Sequence, residues 1–269
     1  MLLHHELLTA PGATPTRAVV FLHGILGSGA NLRSHARAFI QARPDFAAVL
    51  MDLRAHGRSL ELDGEDTVTN AAGDLAQTAL SWPTPVHAIV GHSFGGKVAL
   101  AFAKAHPALA AVMTLDSAPG PRVDARGSES TLEVLSVLDT LTRPWPTRDA
   151  FIAEIEARGL GRAIAQWLGM NLESRPEGWV FRLSLSRIHA LLEDYFRLDL
   201  WSVVENAAHA KQHVHLVVGA KSSVYSAEDR VRAEALAGEF VTVDVLQAGH
   251  WVHVEDPRGL SEVLLRRLG

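Results

Sequence analysis

One serine in this chain stands where a nucleophile would. Ser93 lies in Gly91-His92-Ser93-Phe94-Gly95-Gly96, a G-x-S-x-G pattern that follows an apolar run and opens a helical one. Glycines permit a sharp strand-to-helix turn and let the two backbones cross closely. Such a turn holds Ser93 above a sheet at a helix N-terminus, with the Phe94 backbone N–H facing any oxygen anion formed beside it. The plainer reading is a glycine-rich turn whose serine only caps the helix. The strand before and the helix after favour the nucleophile. A serine hydroxyl is weakly nucleophilic alone, so it needs a base within hydrogen-bond reach and a group that orients the base. His250 is placed for the base: it follows the last β-rich run behind Gly249, where a loop can reach over a sheet edge. His253 is its nearest competitor and is expected to pack beside the C-terminal helix, while His23 and His92 are expected to brace the site.

The elements that must position these residues show in the apolar pattern. Continuous apolar runs at 18–22, 47–51, 86–90 and 110–115 stop at His23-Gly24, Asp52, Gly91 and Asp116. Helical spacing fills 32–42, 68–80 and 95–106 between them. Buried strands alternating with helices predict an α/β fold, a mostly parallel sheet with helices on both faces and right-handed crossovers. From about Gly120 to Glu205 the rhythm breaks into helical patterns only, at 131–141, 148–158, 161–168 and 183–192. Strands return at 213–218 and 240–246, with helices at 227–237 and 257–268. The expected organisation is a core of 1–119 and 206–269 with a helical lid inserted at 120–205 over the C-terminal edge of the sheet.

With these motifs in order, the chain resembles the α/β-hydrolase family over essentially its whole length. His23-Gly24-Ile25-Leu26-Gly27-Ser28 is similar to the family's oxyanion loop, Asp52-Leu53-Arg54-Ala55-His56-Gly57-Arg58-Ser59 to its D-x-R-x-H-G-x-S loop, and Gly249-His250-Trp251-Val252-His253 to its catalytic-histidine segment. The combination is most similar to a branch of small acyl esterases and thioesterases. The resemblance implies an oxyanion hole from the Ile25 and Phe94 amides, with Leu26 as the alternative neighbour. It also bears on the acid. Most members take their Asp shortly after the strand that here ends at Val218, but Gly219-Ala220-Lys221-Ser222-Ser223-Val224 contains no acid. Glu228 and Asp229 come next, as first-turn residues of a helix. The esterase branch places its acid earlier, which points to Asp116 rather than Asp229; a turn-capping Asp before Pro119 is the bland alternative.

Composition narrows the rest. The 269 residues include no cysteine, which excludes a disulfide framework, a thiol nucleophile and cysteine–metal centres. Lys and Arg number 25 against 30 Asp and Glu, a net charge of −5 without like-charge runs, so a nucleic-acid partner is not expected. No apolar stretch reaches the ~18 residues of a membrane span, and Met1-Leu2-Leu3-His4-His5-Glu6 lacks the pattern of a signal peptide, so a cytoplasmic protein is expected. Neither metal-ligand spacing nor a phosphate- or dinucleotide-binding motif appears, and no cofactor is inferred. Self-association is left open. Asn31, Arg54, His56 and Ser59 read as loop scaffolding, and Trp145, Trp167, Trp179 and Trp201 as core or pocket wall. The expectation is a serine hydrolase for short to medium carboxylic esters or thioesters, acting through Ser93, His250 and Asp116. Two alternatives use the same fold: a lyase or cofactor-free perhydrolase on the same triad, and a ligand-binding receptor without turnover. An aspartate nucleophile of the dehalogenase or epoxide-hydrolase kind is disfavoured because the elbow carries Ser93.

Overall fold

The computed structural model describes residues 1–122, 129–141 and 144–269; residues 123–128 and 142–143 of the expected insertion lie outside the described residues. The chain begins with β1 (His5–Leu8), β2 (Arg17–Leu22), α1 (Arg33–Ala42), β3 (Phe46–Met51), α2 (Val68–Ala79), β4 (Val86–His92), α3 (Phe94–Ala105) and β5 (Ala111–Leu115). An insertion follows, with α4 (Glu129–Leu138), α5 (Arg148–Ala157), α6 (Arg162–Leu168), β6 (Leu172–Arg175), β7 (Gly178–Phe181), α7 (Leu185–Arg197), α8 (Trp201–Glu205) and α9 (Ala207–Ala210). The sheet then resumes with β8 (His213–Gly219), α10 (Ala227–Leu236), β9 (Val241–Leu246), α11 (Val252–Glu255) and α12 (Pro257–Leu268).

Among the described residues, seven strands form the main sheet in the order β1-β3-β2-β4-β5-β8-β9. All neighbours are parallel except β1, which runs antiparallel along β3 at the edge. Alternation of side chains along a strand explains the continuous apolar runs. In β2, Val19 and Phe21 enter the core shared with α1 and α12, while Ala18, Val20 and Leu22 enter the opposite core with α2 and α3. Both faces are covered, so every position must be apolar. The chain leaves β2 for β3 on one side and later reaches β4 on the other. The loops after β2 and β4 therefore flank a crevice at a topological switch point, where open α/β sheets place ligands.

Two features differ from the pattern read in the sequence. The edge strand β1 carries His5-Glu6-Leu7-Leu8, none of it fully buried, so it lacks the apolar signature of an inner strand. The insertion is not purely helical either, because β6 and β7 pair antiparallel with Arg175 opposite Gly178. Three of the four β6 residues are exposed, which erases the alternation expected of a strand. Gly178 takes a φ of 128° at the turn, a region only glycine enters readily. Trp145 adds to this small sheet by exchanging backbone hydrogen bonds with Trp179 at 2.8 and 2.7 Å. In addition, α7 extends to Arg197 rather than stopping at Leu192.

Among the described residues, the insertion shares its apolar core with the sheet. Phe151, Ile155, Leu168, Ile188 and Leu191 lie in the same apolar cluster as Val98, Leu100 and Val20. Replacing the fully buried Ile188 by Ala is expected to lower the stability of the whole molecule by about 2–5 kcal/mol. Urea unfolding should keep one transition; a separate early transition for the insertion would contradict the shared core.

Candidate active site

Backbone strain gathers at the C-terminal ends of the parallel strands. Leu26, Ala55, Ser93 and Asp116 follow β2, β3, β4 and β5, and their φ values are 61, 61, 51 and 49°. A left-handed non-glycine residue is uncommon, and such strain concentrates where function over-determines the backbone. At Ser93 the ψ of −116° completes the sharp turn into α3. The turn requires glycine beside it: a Cβ on Gly91 would lie 2.1 Å from the Gly95 carbonyl oxygen, and one on Gly95 would lie 2.5 Å from that of His23. The Ser93 N–H donates to the Leu115 carbonyl at 3.0 Å, which ties the turn to the end of β5.

Asp116 is wholly buried, and His250 Nδ1 sits 2.7 Å from its Oδ2. The carboxylate also accepts from the Ser222 hydroxyl at 2.5 Å and from the Gly219 N–H at 3.0 Å. An ionised carboxylate accepts but cannot donate. It therefore fixes the proton on His250 Nδ1 and leaves Nε2 as the basic nitrogen. The His250 carbonyl accepts from His92 Nε2 at 2.9 Å, so the residue before the serine clamps the histidine loop. Asp229 is engaged elsewhere. Its backbone N–H and carboxylate complete a capping box with Ser226 at the start of α10.

The loop after β2 is braced by buried histidines. The Leu26 N–H donates to His56 Nε2 at 3.0 Å, so this amide is already committed. The N–H groups of Ile25 and Phe94 make no hydrogen bond to a described residue. His56 donates from Nδ1 to the Arg54 carbonyl at 2.8 Å, and His23 donates to the Gly24 carbonyl at 2.7 Å while accepting from the Leu53 N–H at 3.0 Å. Each ring uses one nitrogen as donor and one as acceptor, which only neutral imidazole can do. Burial holds the His56 pKa down to about 3, and pushes those of His23 and His92 below the usual range. Arg54 is equally structural: it is 2% exposed and binds Asp74 at 2.7 Å and the Asp63 carbonyl at 3.0 Å.

Ser93, His250, Ile25 and Thr131 border two neighbouring cavities, the two arms of the site. One arm runs between Leu26, Val134, Ile164, Trp167 and Trp251; the other runs between Phe94, Leu192, Tyr195 and Phe196. Each arm has a volume of about 20 Å³, room for roughly one water molecule. Of the four tryptophans singled out, Trp167 alone borders these arms, stacked edge-on against Trp251 at 4.9 Å. Trp145 and Trp201 are buried, and Trp179 pairs with Trp145. His253 stands behind His92, with ring centroids 4.5 Å apart, and its carbonyl accepts from His35 Nε2 at 2.8 Å. The sequence assigns no role to Ser222, Tyr195, Phe196 or Trp251. Two of them carry a signal there: Trp251 lies in the G-H-W-x-H segment, and Ser222 is a polar residue in the acid-free loop after Val218.

Residues 19–263 match the profile of the Alpha/beta hydrolase family. The chain belongs to that family. This α/β hydrolase is 26% identical over 258 residues to the sn-1-specific diacylglycerol lipase ABHD11 of Danio rerio, covering 91% of this chain and 76% of that protein. It is also 26% identical over 283 residues to Esterase YbfF of Escherichia coli (strain K12), covering 100% of this chain and 99% of the relative. Among solved structures, a marine microorganism esterase superposes with a TM-score of 0.81 at 22% identity, over 99% of both chains. That likeness is one of fold.

The buried histidines set an acid limit on the α/β-hydrolase fold. His56 and His253 have folded-state pKa values of about 3 against an ordinary 6.5. The stability they contribute is complete above 6.5 and is lost as pH falls from 6.5 towards 3. By pH 5 each is expected to have removed on the order of 2 kcal/mol. Urea midpoints at pH 7.5 and 5 would check this; equal midpoints would contradict it.

Proposed function

We propose that this α/β hydrolase is a serine carboxylesterase in which Ser93, His250 and Asp116 form the catalytic triad. The observation that carries the reading is the 2.7 Å contact of His250 with buried Asp116, in the cavity that Ser93 also borders. Relatives named as an esterase and as a diacylglycerol lipase support ester hydrolysis as the class of reaction. The ordered strand ends supply the parts such a reaction needs. Ser93 attacks the ester carbonyl carbon, and His250 Nε2 takes the hydroxyl proton. The tetrahedral oxyanion is held by the Ile25 and Phe94 amides, which have no other described partner. Collapse expels the alcohol, which leaves with the proton from His250. Water then attacks the acyl-Ser93 carbonyl by the same route and releases the acid. Throughout, Asp116 accepts from His250 Nδ1 and stabilises the imidazolium. Thioesters would follow the same steps with a thiol leaving group.

The helical insertion acts as a lid in this reading, because Thr131, Val134, Ile164, Trp167, Leu192 and Tyr195 roof the serine. The tight arms favour short acyl chains. On p-nitrophenyl esters of increasing length, turnover is expected to peak at short to medium chains and to disappear in Ser93→Ala. Asp116→Asn should lower kcat about 10⁴-fold, since the amide presents a donor where the imidazole N–H needs an acceptor. Asp229→Asn should change kcat less than about tenfold and cost roughly 1 kcal/mol through the α10 cap. A large loss in Asp229→Asn with Asp116→Asn active would overturn the triad, as would a preference for long chains overturn the lid reading.

A further inference from the structure

Lys97 is the one lysine with no exposed surface among the described residues, and neither the nucleophile, the base nor the oxyanion hole uses it. It lies in the first half of α3, four residues beyond Ser93. Its Nζ donates to three backbone carbonyls, those of Gly120 at 2.8 Å, Tyr195 at 2.6 Å and Leu198 at 2.7 Å. The ammonium group also stands 4.6 Å from the Tyr195 ring centroid. An ammonium has three donors, and here all three are spent on the insertion and its entry point.

The acceptors explain what is being held. The last carbonyls of a helix have no partner within it. At the end of α7, Asp194 is served by the Leu198 N–H at 3.0 Å, Phe196 by the Arg122 N–H at 2.7 Å, and Tyr195 by Lys97. A cation there also faces the negative end of the helix dipole. Tyr195 and Phe196 are walls of the second arm of the site. No carboxylate pairs directly with Lys97 among the described residues, so its hold is on the main chain.

We propose that Lys97 is a positioning residue for substrate, which anchors the Tyr195–Phe196 wall of the second arm to the helix that carries Ser93. The proposal rests on the Ser93 reading above, because the arm matters only if substrate meets Ser93. It gives the first turn of α3 two roles: the N-terminus presents the nucleophile, and Lys97 one turn later sets the shape of the space beside it. An ester whose acyl group presses against the Tyr195–Phe196 wall depends on this anchor, whereas a minimal ester that does not reach the wall depends on it far less.

The surroundings are consistent with a group under tension between charge and burial. Asp194 and Asp199 at either side of the α7 terminus, and Asp229 on α10, attract the ammonium, and Arg122 opposes it. Burial outweighs these and brings the Lys97 pKa down to about 7.

The test compares kcat and KM of wild type, K97M and K97Q on two esters, p-nitrophenyl acetate and a bulkier p-nitrophenyl ester that wild type turns over. F196A and the K97M/F196A pair complete a cycle. The expected result is a loss carried by KM and concentrated in the bulky ester, so that K97M lowers the bulky-to-acetate ratio of kcat/KM tenfold or more. F196A should lower the same ratio, and the double variant should add little to either single one, as coupled residues do. K97Q keeps a two-donor amide and should fall between wild type and K97M; it carries the test if K97M does not fold. A loss shared equally by both esters, a loss in kcat with KM unmoved, full additivity with F196A, or no change overturns the proposal. Turnover that persists in Ser93→Ala instead identifies a failure of the triad reading.

Discussion

The site is organised around one buried carboxylate. Asp116 is fully removed from solvent and has no Lys or Arg against it among the described residues. A buried charge of this kind persists only when hydrogen bonds replace its hydration. The three donors come from separate parts of the chain: Gly219 at the end of β8, Ser222 in the loop beyond it, and His250 after β9. Satisfying Asp116 therefore brings together the C-terminal ends of β5, β8 and β9. The same contacts determine which His250 nitrogen carries the proton. Satisfying the carboxylate and orienting the His250 imidazole are one requirement.

The left-handed residues after β2 to β5 extend this logic to the other half of the site. Each redirects the chain as it leaves the sheet, so that Leu26, Ala55, Ser93 and Asp116 turn towards the switch-point crevice. Neutral histidines then lock the loops to one another: His56 holds Leu26, His23 holds Leu53, and His92 holds His250. The insertion is built onto this frame by similar means. Asn171 donates to the Leu26 carbonyl at 2.8 Å, and the Val68 N–H donates to Asp194 at 2.7 Å. Its apolar residues share the core of the sheet, so the insertion and the sheet are parts of one packed body.

Much of the sheet was legible because its inner strands are buried on both faces, so that Ala18–Leu22 and Ala88–Val90 are apolar throughout. The elbow was legible for a steric reason, since Gly91 and Gly95 stand where no side chain fits. The edge strand β1 and the β6–β7 hairpin were not, because exposed strands carry little periodicity and Glu173-Ser174-Arg175 has none. The choice between Asp116 and Asp229 could not be made on spacing, since both lie between serine and histidine in the chain. It is a question of which carboxylate faces the imidazole, and the packing of β5 against β8 places Asp116 there. Lys97 closes the G-H-S-x-G-G-K stretch, but its role could not be read there. Its partners are three main-chain carbonyls, and no side-chain pattern records them.

In the proposed mechanism Asp116, His250 and Ser93 act as one unit. Reaction with a fluorophosphonate probe, followed by peptide mapping, tests it most directly because the probe reports the activated hydroxyl rather than a particular substrate. The account predicts one adduct per chain, located on Ser93, and labelling slowed by at least a hundredfold in both His250→Asn and Asp116→Asn. An adduct on another residue, or Ser93 labelling at the wild-type rate in either variant, would contradict it.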